Sequence, residues 1–278
     1  MKNLIDTMKN DEDFDYTYLS LGAGVQSSAL LVLACTDDRV PKPDVAIFAD
    51  TGDEPEYVMA YLDTLKEYGR GYGVDVITAQ KAVLSEYSLK PDSFVPVPLH
   101  LKHHDGSEGL LRRYCTTDYK ITPINQKVRE LLGYKPRQRM KHTVRAMLGI
   151  STDEMQRMKE SWTKWITNCW PLIDLGIARK DCYGIVEKAG LPRPEKSACV
   201  YCPYRSDQDW ANMKKSNPQD FAKAVEFDNA IRDKTVERMG KQSFVHRSMM
   251  PLQDANFNTD DPDQVDMFNN ECDGICGV

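Results

Sequence analysis

Apolar and polar positions spell strands and helices in turn along the first eighty residues. "YTYLSLG" (16–22) is a short, largely apolar run that ends in glycine, the pattern of a buried strand entering a turn. "VQSSALLVLAC" (25–35) has the apolar density and length of a buried helix. "DVAIFAD" (44–50) reads as a second buried strand closed by a carboxylate. Over 54–69, Tyr57, Tyr61, Leu62 and Leu65 fall on one helical face, and Pro55 fits only the first turn. "GVDVITA" (73–79) is a third strand. The β-α-β-α-β order predicts parallel strands with right-handed crossovers.

The pattern weakens between 85 and 118, where three prolines and "HLKHHDGSEG" leave no clear period. A loop of that length in a compact domain is often functional, and a polar active-site loop is the expectation here. Periodicity then predicts a helix near 121–133 and a strand over 143–149. A helix follows over 151–161, opened by the capping-box spacing of Ser151 and Glu154. "WITNCWPLIDL" is apolar and extended, and 178–190 is a helix stopped by Gly190 and Pro192. After a C-x-x-C loop come one or two helices between 206 and 239, then an irregular tail from 240. The expected fold is a doubly wound, mainly parallel α/β domain over 1–205 with a helical, cysteine-containing extension over 206–278.

Strand, small-residue turn and helix N-terminus together make an anion site, because the turn exposes N–H groups and the helix dipole favours negative charge. Gly22, Ala23 and Gly24 let the backbone approach a phosphate closely, with Ser20 before them. Val25, Gln26 and Ser27 open the helix, Ser27 and Ser28 as hydroxyl donors. Asp50, Thr51 and Gly52 end the next strand and flank the same crevice. The plain alternative is a tight turn with Thr51 or Asp53 as a helix cap.

Charge changes the picture only locally. The net charge of −6 argues against a broad basic surface. Yet 127–145 holds seven Lys and Arg and one His, so Arg137, Arg139 and Lys141 are candidates for a nucleotide phosphate, a sulfate or a nucleic-acid backbone. A solvated face is the default for such a run. Trp162, Trp165 and Trp170 read as core or interface rather than a stacking platform. The longest apolar run, Ala29 to Cys35, is too short to span a membrane, and the polar N-terminus has no signal-peptide pattern. A cytoplasmic protein with no membrane partner is expected.

The eight cysteines read as metal ligands or redox groups in a reducing compartment. Cys35, Cys169 and Cys182 sit among apolar or helical residues and read as small buried hydrophobes. Cys115, Cys199 and Cys202 can converge at one rim of the crevice as thiolate ligands. Iron–sulfur clusters usually take four such ligands. Cys199, Cys202, Cys272 and Cys276 form two close pairs, which is also a zinc pattern. Cys115 as an unliganded thiol is the third reading.

"SLGAGVQSSALLVLA" followed by "IFADTGDEPEYVMAYLDTL" resembles the nucleotide-binding half of the phosphoadenylyl-sulfate (PAPS) reductase family, within the PP-loop superfamily. Gly24-Val25-Gln26 is similar to the G-I/V-Q of the reductase branch, and Gln26 stands where the ATP-cleaving members carry the aspartate of S-G-G-x-D-S. "CTTDYKITPI" resembles the family's C-x-x-x-x-K-x-x-P element, placing Cys115, Lys120 and Pro123. "MLGISTDEMQRMK" is similar to its G-I/V-R-x-x-D/E-S-x-x-R, placing Gly149 and Arg157, with Ser151 where arginine is usual. "KSACVYCPYR" resembles its C-x-x-C loop, and the likeness runs over roughly 17–205.

The resemblance implies an adenine nucleotide (PAPS, its dephosphorylated analogue APS, or ATP) bound by Ser20, the 22–27 loop, Asp50, Thr51, Gly52, Lys120, Gly149 and Arg157. It implies a 4Fe-4S cluster on Cys115, Cys199 and Cys202, with 83 residues between the first two, and a fourth site that is either open, as in the tRNA-thiolating relatives, or filled by a tail cysteine such as Cys272. "NECDGICGV" resembles the family's E-C-G-L/I-H tail, so Cys272 or Cys276 is the expected nucleophile, with His246 and Arg247 able to assist and a thioredoxin-like thiol as reductant. The competing function is a magnesium-dependent ATP pyrophosphatase that adenylates a nucleic-acid base or nucleotide for sulfur transfer. The basic stretch and the three cysteines favour it; Gln26 counts against it. A zinc-stabilised nucleotide-binding regulator is the third function, and a homo-oligomer is compatible with each.

Overall fold

A computed structural model describes residues 7–8, 13–103 and 105–257. In chain order the elements are β1 (Tyr16–Leu21), α1 (Val25–Thr36), β2 (Val45–Asp50), α2 (Glu56–Gly71), β3 (Asp75–Gln80) and α3 (Leu84–Leu89). Two short strands follow, β4 (His100–Lys102) and β5 (Glu108–Leu110). A π-helical turn, Thr117–Ile121, runs into α4 (Thr122–Leu131), then β6 (Val144–Leu148), a 3-10 helix (Thr152–Arg157) and β7 (Ile166–Cys169). The chain continues through α5 (Pro171–Asp174), α6 (Arg179–Lys188), α7 (Asp207–Ser216), α8 (Pro218–Met239) and β8 (Gln242–Phe244).

Five strands form one parallel sheet in the order β3-β2-β1-β6-β7, the doubly wound α/β arrangement that the alternating pattern predicts. Its strand order reverses between β1 and β6, so the crevice of such a sheet opens there, outside the strands' carboxyl ends. The apolar run of α1 is explained by its place. Leu30, Leu31 and Ala29 are fully buried in one core shared with α2 and with Cys182 and Val186 of α6. Ile124 and Val128 of α4 cover the opposite face, against Tyr18, Ile47 and Ala146. Cys169 and Cys182 are buried as expected, and Cys35 is half-buried.

The region read as irregular is not a bare loop. β4 pairs with both β5 and β8, with His100 opposite Leu110 on one side and Phe244 on the other. Three-residue strands carry too few positions for a period, so this second sheet is invisible locally. A second core joins Leu84, Leu99 and Tyr119 to Tyr201, Trp210, Phe227 and Val245, and so crosses the boundary expected at 205. The predicted 151–161 helix is only the six-residue 3-10 turn, with no side-chain cap from Ser151. The stretch read as extended divides into β7 and the single turn of α5, which Pro171 opens. Trp170 is buried and Trp165 packs on the α4 face, but Trp162 stands 93% exposed, outside any core. Among the described residues no helix is long and apolar enough to cross a membrane.

Candidate active site around the glycine loop

The loop between β1 and α1 is closed by its own side chains. Ala23 takes a left-handed φ of 55°, which turns the chain into α1, and Gly24 is the helix N-cap. The Gly22 N–H donates to Ser27 Oγ at 3.1 Å, while the Ser27 and Ser28 hydroxyls donate to Gly24 O at 3.2 and 2.8 Å. Both serines therefore serve the turn itself. No side chain caps α1, so the positive end of its helix dipole is not met by a capping group. Gly149, expected as a nucleotide contact, has a packing role. A Cβ there would lie 2.9 Å from both the Cα and N of Ser27, so the glycine lets the end of β6 rest on the first turn of α1.

Toward β6 the loop meets a buried carboxylate. Gln26, 0% exposed, donates from Nε2 to Ser151 Oγ at 2.5 Å and to Glu154 Oε2 at 2.9 Å. Glu154 is equally buried; Arg157 Nη1 donates to the same oxygen at 2.7 Å, and Arg179 Nη1 lies 3.9 Å from the other. Gln26 Oε1 and Glu154 Oε1 have no hydrogen-bond partner among the described residues. The spacing that reads as a capping box thus serves a tertiary contact, and Arg157 is held by Glu154.

Toward β2 a second buried carboxylate is held differently. Thr51, 0% exposed, donates to Glu54 Oε1 at 3.2 Å and lies 3.1 Å from Cys199 Sγ. Lys120 Nζ stands 3.9 Å from Glu54 Oε1. Burial pushes the Glu54 carboxyl up, and Lys120 offsets only part of it. Burial and then Glu54 push the Cys199 thiol well above its ordinary value, with nearby Cys115 adding to the effect. Asp50 closes its own turn, its Oδ1 accepting from Gly52 N at 2.7 Å where Gly52 has a φ of 80°.

The cysteine loop is stapled across the ends of β1 and β2. Ser197 Oγ donates to Gly22 O, Val200 N to Asp53 O at 2.9 Å, and Tyr57 OH to Lys196 O at 3.1 Å. Buried Arg205 braces the loop from behind, donating to Ala198 O at 2.6 Å and to Cys199 O at 3.2 Å. One wall of a cavity of about 430 Å³ is this loop. Val25 at the start of α1, Tyr57, Arg179, Tyr183, Lys196 and Arg205 line it. Lys196 is paired with Asp209 at 2.8 Å. Ser20 lies apart, in a notch of about 30 Å³ on the α4 face with Asn125 and Asn168.

The other candidates fall as follows. Cys272 and Cys276 lie outside the described residues. Among the described residues no group of three or more His, Cys, Asp or Glu side chains is arranged to hold a metal ion. The basic stretch precedes β6 and so lies at the amino ends of the sheet. Arg137, Arg139 and Lys141 are exposed there, five strand residues or about 17 Å from the phosphate loop. They are not placed for a phosphate held by α1. His246 and Arg247 both engage Asp207, at 3.0 and 3.3 Å.

Glu54, Glu154, Arg179, Arg205 and Tyr57 carry much of the site and were not singled out as site residues. Glu54 had a signal, a carboxylate just past a strand end. Arg179 and Arg205 had none.

The chain matches no protein-family model and no curated protein sequence. Solved structures do align with it, two of them as follows. The PAPS reductase from Candida auris, in a phosphate complex, is 13% identical over 64% of this chain and 75% of that one, with a TM-score of 0.39. The U34-tRNA thiolase NcsA from Methanococcus maripaludis, with its 4Fe-4S cluster, is 13% identical over 82% of this chain and 74% of that one, with a TM-score of 0.40. Likeness at that level decides nothing about the reaction.

Proposed function

We propose that this chain is an adenine-nucleotide-binding enzyme of sulfur chemistry, a reductase of PAPS or APS. One observation carries the reading: the 430 Å³ cavity meets Val25 at the uncapped start of α1 and Arg179 on one side and, on the other, Lys196 and Arg205 at the two ends of the cysteine loop. The volume suits a nucleotide. Phosphates would sit against α1 and Arg179, with Tyr57 and Tyr183 flanking the base.

In this reading a thiolate attacks the sulfonate sulfur. A new S–S bond forms, the bond from sulfur to the phosphate oxygen breaks, and its electron pair leaves with the nucleotide. Arg179 and the α1 dipole stabilise that leaving charge. A second thiol, from the chain or from a thioredoxin-like dithiol, then displaces sulfite and leaves a disulfide. Cys199 is a poor nucleophile because burial keeps its thiol protonated. The attacking thiol is therefore assigned to the tail, Cys272 or Cys276. No step is routed through a metal.

The test is sulfite release from PAPS or APS with a reduced dithiol. We expect turnover that is lost in Cys272→Ser or in Cys276→Ser. Pyrophosphate release from ATP on adding a nucleic-acid or nucleotide acceptor, with no sulfite from either substrate, would replace this reading by adenylation.

A further inference from the structure

The nucleotide reading leaves one buried group without a task. Glu154 belongs to a 3-10 turn, is fully enclosed, and is not part of the loop. Yet an amide and two guanidiniums lie around it on the β6 side. Its Oε2 accepts from Gln26 at 2.9 Å and from Arg157 at 2.7 Å, and its Oε1 faces Arg179 at 3.9 Å. Arg179 is also a wall of the 430 Å³ cavity, with its side chain 22% exposed. One carboxylate therefore holds the second residue of α1 and Arg157 by hydrogen bonds and lies within ion-pair distance of Arg179.

We infer that Glu154 is a positioning residue that aims Arg179 and Arg157 at the nucleotide's phosphates and so makes affinity depend on phosphate number. The inference rests on the nucleotide reading and adds to it the group that sets its charge selectivity. The physical case is one of freedom and cost. An arginine side chain has many rotamers, and holding it ready costs entropy that a bound anion must otherwise supply. A buried carboxylate meets that cost in the free protein. Glu154 also cannot swing out to make way for a ligand. Gln26, Ser151 and Glu154 are all enclosed, and the carboxylate would leave two guanidiniums behind. It aims the arginines and does not compete for the phosphate position. Gln26 fits the same design: a carboxamide can donate to Glu154, whereas an aspartate at that position would repel it.

Titration of adenosine, AMP, ADP and ATP into the full chain tests this, on wild type, Glu154→Gln and Glu154→Asp, with circular dichroism as the check on folding. For wild type we expect affinity to rise with each phosphate. Glu154→Gln should flatten that rise by about tenfold or more from AMP to ATP while adenosine binding stays within about twofold. Glu154→Asp should restore part of it, because the charge returns one methylene shorter. A merely structural role would weaken all four ligands alike, and that result overturns the inference, as does an undiminished rise in Glu154→Gln. Tighter binding of ATP by Glu154→Gln also overturns it, since the carboxylate would then be a competitor. If Glu154→Gln does not fold, Arg179→Lys must show the same flattening, and a full rise there overturns the inference. A wild-type chain that binds none of the four overturns the nucleotide reading itself, and the inference falls with it.

Discussion

The loop has a buried carboxylate on either side, and the two are held in different ways. Glu154, toward β6, is hydrogen-bonded to a guanidinium at 2.7 Å and to an amide at 2.9 Å. Glu54, toward β2, has a lysine at 3.9 Å, a threonine hydroxyl and a thiol. A planar guanidinium in hydrogen-bond contact recovers much of the cost of burying a carboxylate, and an ammonium one ångström further off does not. The Glu54 carboxyl is accordingly pushed up by burial. The β6 side is a hydrogen-bonded ion-pair scaffold. On the β2 side burial pushes the Glu54 carboxyl and the Cys199 thiol up.

The contrast can be broken most severely at Gly149. Gly149→Ala puts a Cβ against the backbone of Ser27, which has no flexible end to yield. It should cost about 3 kcal/mol in chemical denaturation and weaken the β6 side first. Substituting the carboxylates themselves sharpens the comparison. Glu154→Gln loses a charge-assisted hydrogen bond and should cost about 2 kcal/mol, whereas Glu54→Gln, which removes a charge that burial already disfavours, should change stability by less than about 1 kcal/mol. Equal losses in urea titrations would mean that the two sides do not differ.

Acid titration gives a smaller effect, with opposite signs in two places. Burial lowers His100 from 6.5 to about 4 and lowers His246 as well. Between those values the unfolded chain binds more protons than the folded one. Stability should therefore fall as pH drops from 6.5 toward 4, by about 2 kcal/mol, and His100→Gln should reduce the slope. Glu54 runs the other way. Its folded value lies above the ordinary 4.5, so from 4.5 up to that value its contribution is lost as pH rises, and Glu54→Gln should remove that component. The smallest effect is chemical. Burial raises Cys169 and Cys182 to about 12 and Cys199 well above its ordinary value. Brief iodoacetamide treatment of the native chain at pH 8 should leave all three unlabelled by mass spectrometry and label them after unfolding.

Much of the frame was legible along the chain. β1, α1, β2, α2, β3 and β6 lie within a few residues of the runs that predicted them, because a buried parallel strand and a buried helix each leave a continuous apolar stretch. The glycine turn into α1 was legible too. The misreadings have one cause. Ser151 and Glu154 have capping-box spacing, and nothing local reveals that Glu154 turns to Gln26, 128 residues away. Gly149 read as a ligand contact because a glycine that makes room for a helix and one that makes room for a phosphate look alike in one dimension. Arg137, Arg139 and Lys141 looked available to the loop because position along the chain does not say at which end of a sheet a stretch lies.

The sequence by itself determined the sheet, its winding and the tight turn that opens α1, since those follow from hydrophobic period and from which residues tolerate such a turn. Only the tertiary structure decided which carboxylate meets which cation, that Ser27 and Ser28 close the loop while Arg179 lines the cavity, and that Cys199 lies against Thr51 and Glu54. Those outcomes depend on burial and on distances of three or four ångströms between residues far apart in the chain. At those distances, in a site shielded from water, a one-ångström difference separates a hydrogen-bonded ion pair from a carboxylate whose burial is only partly offset.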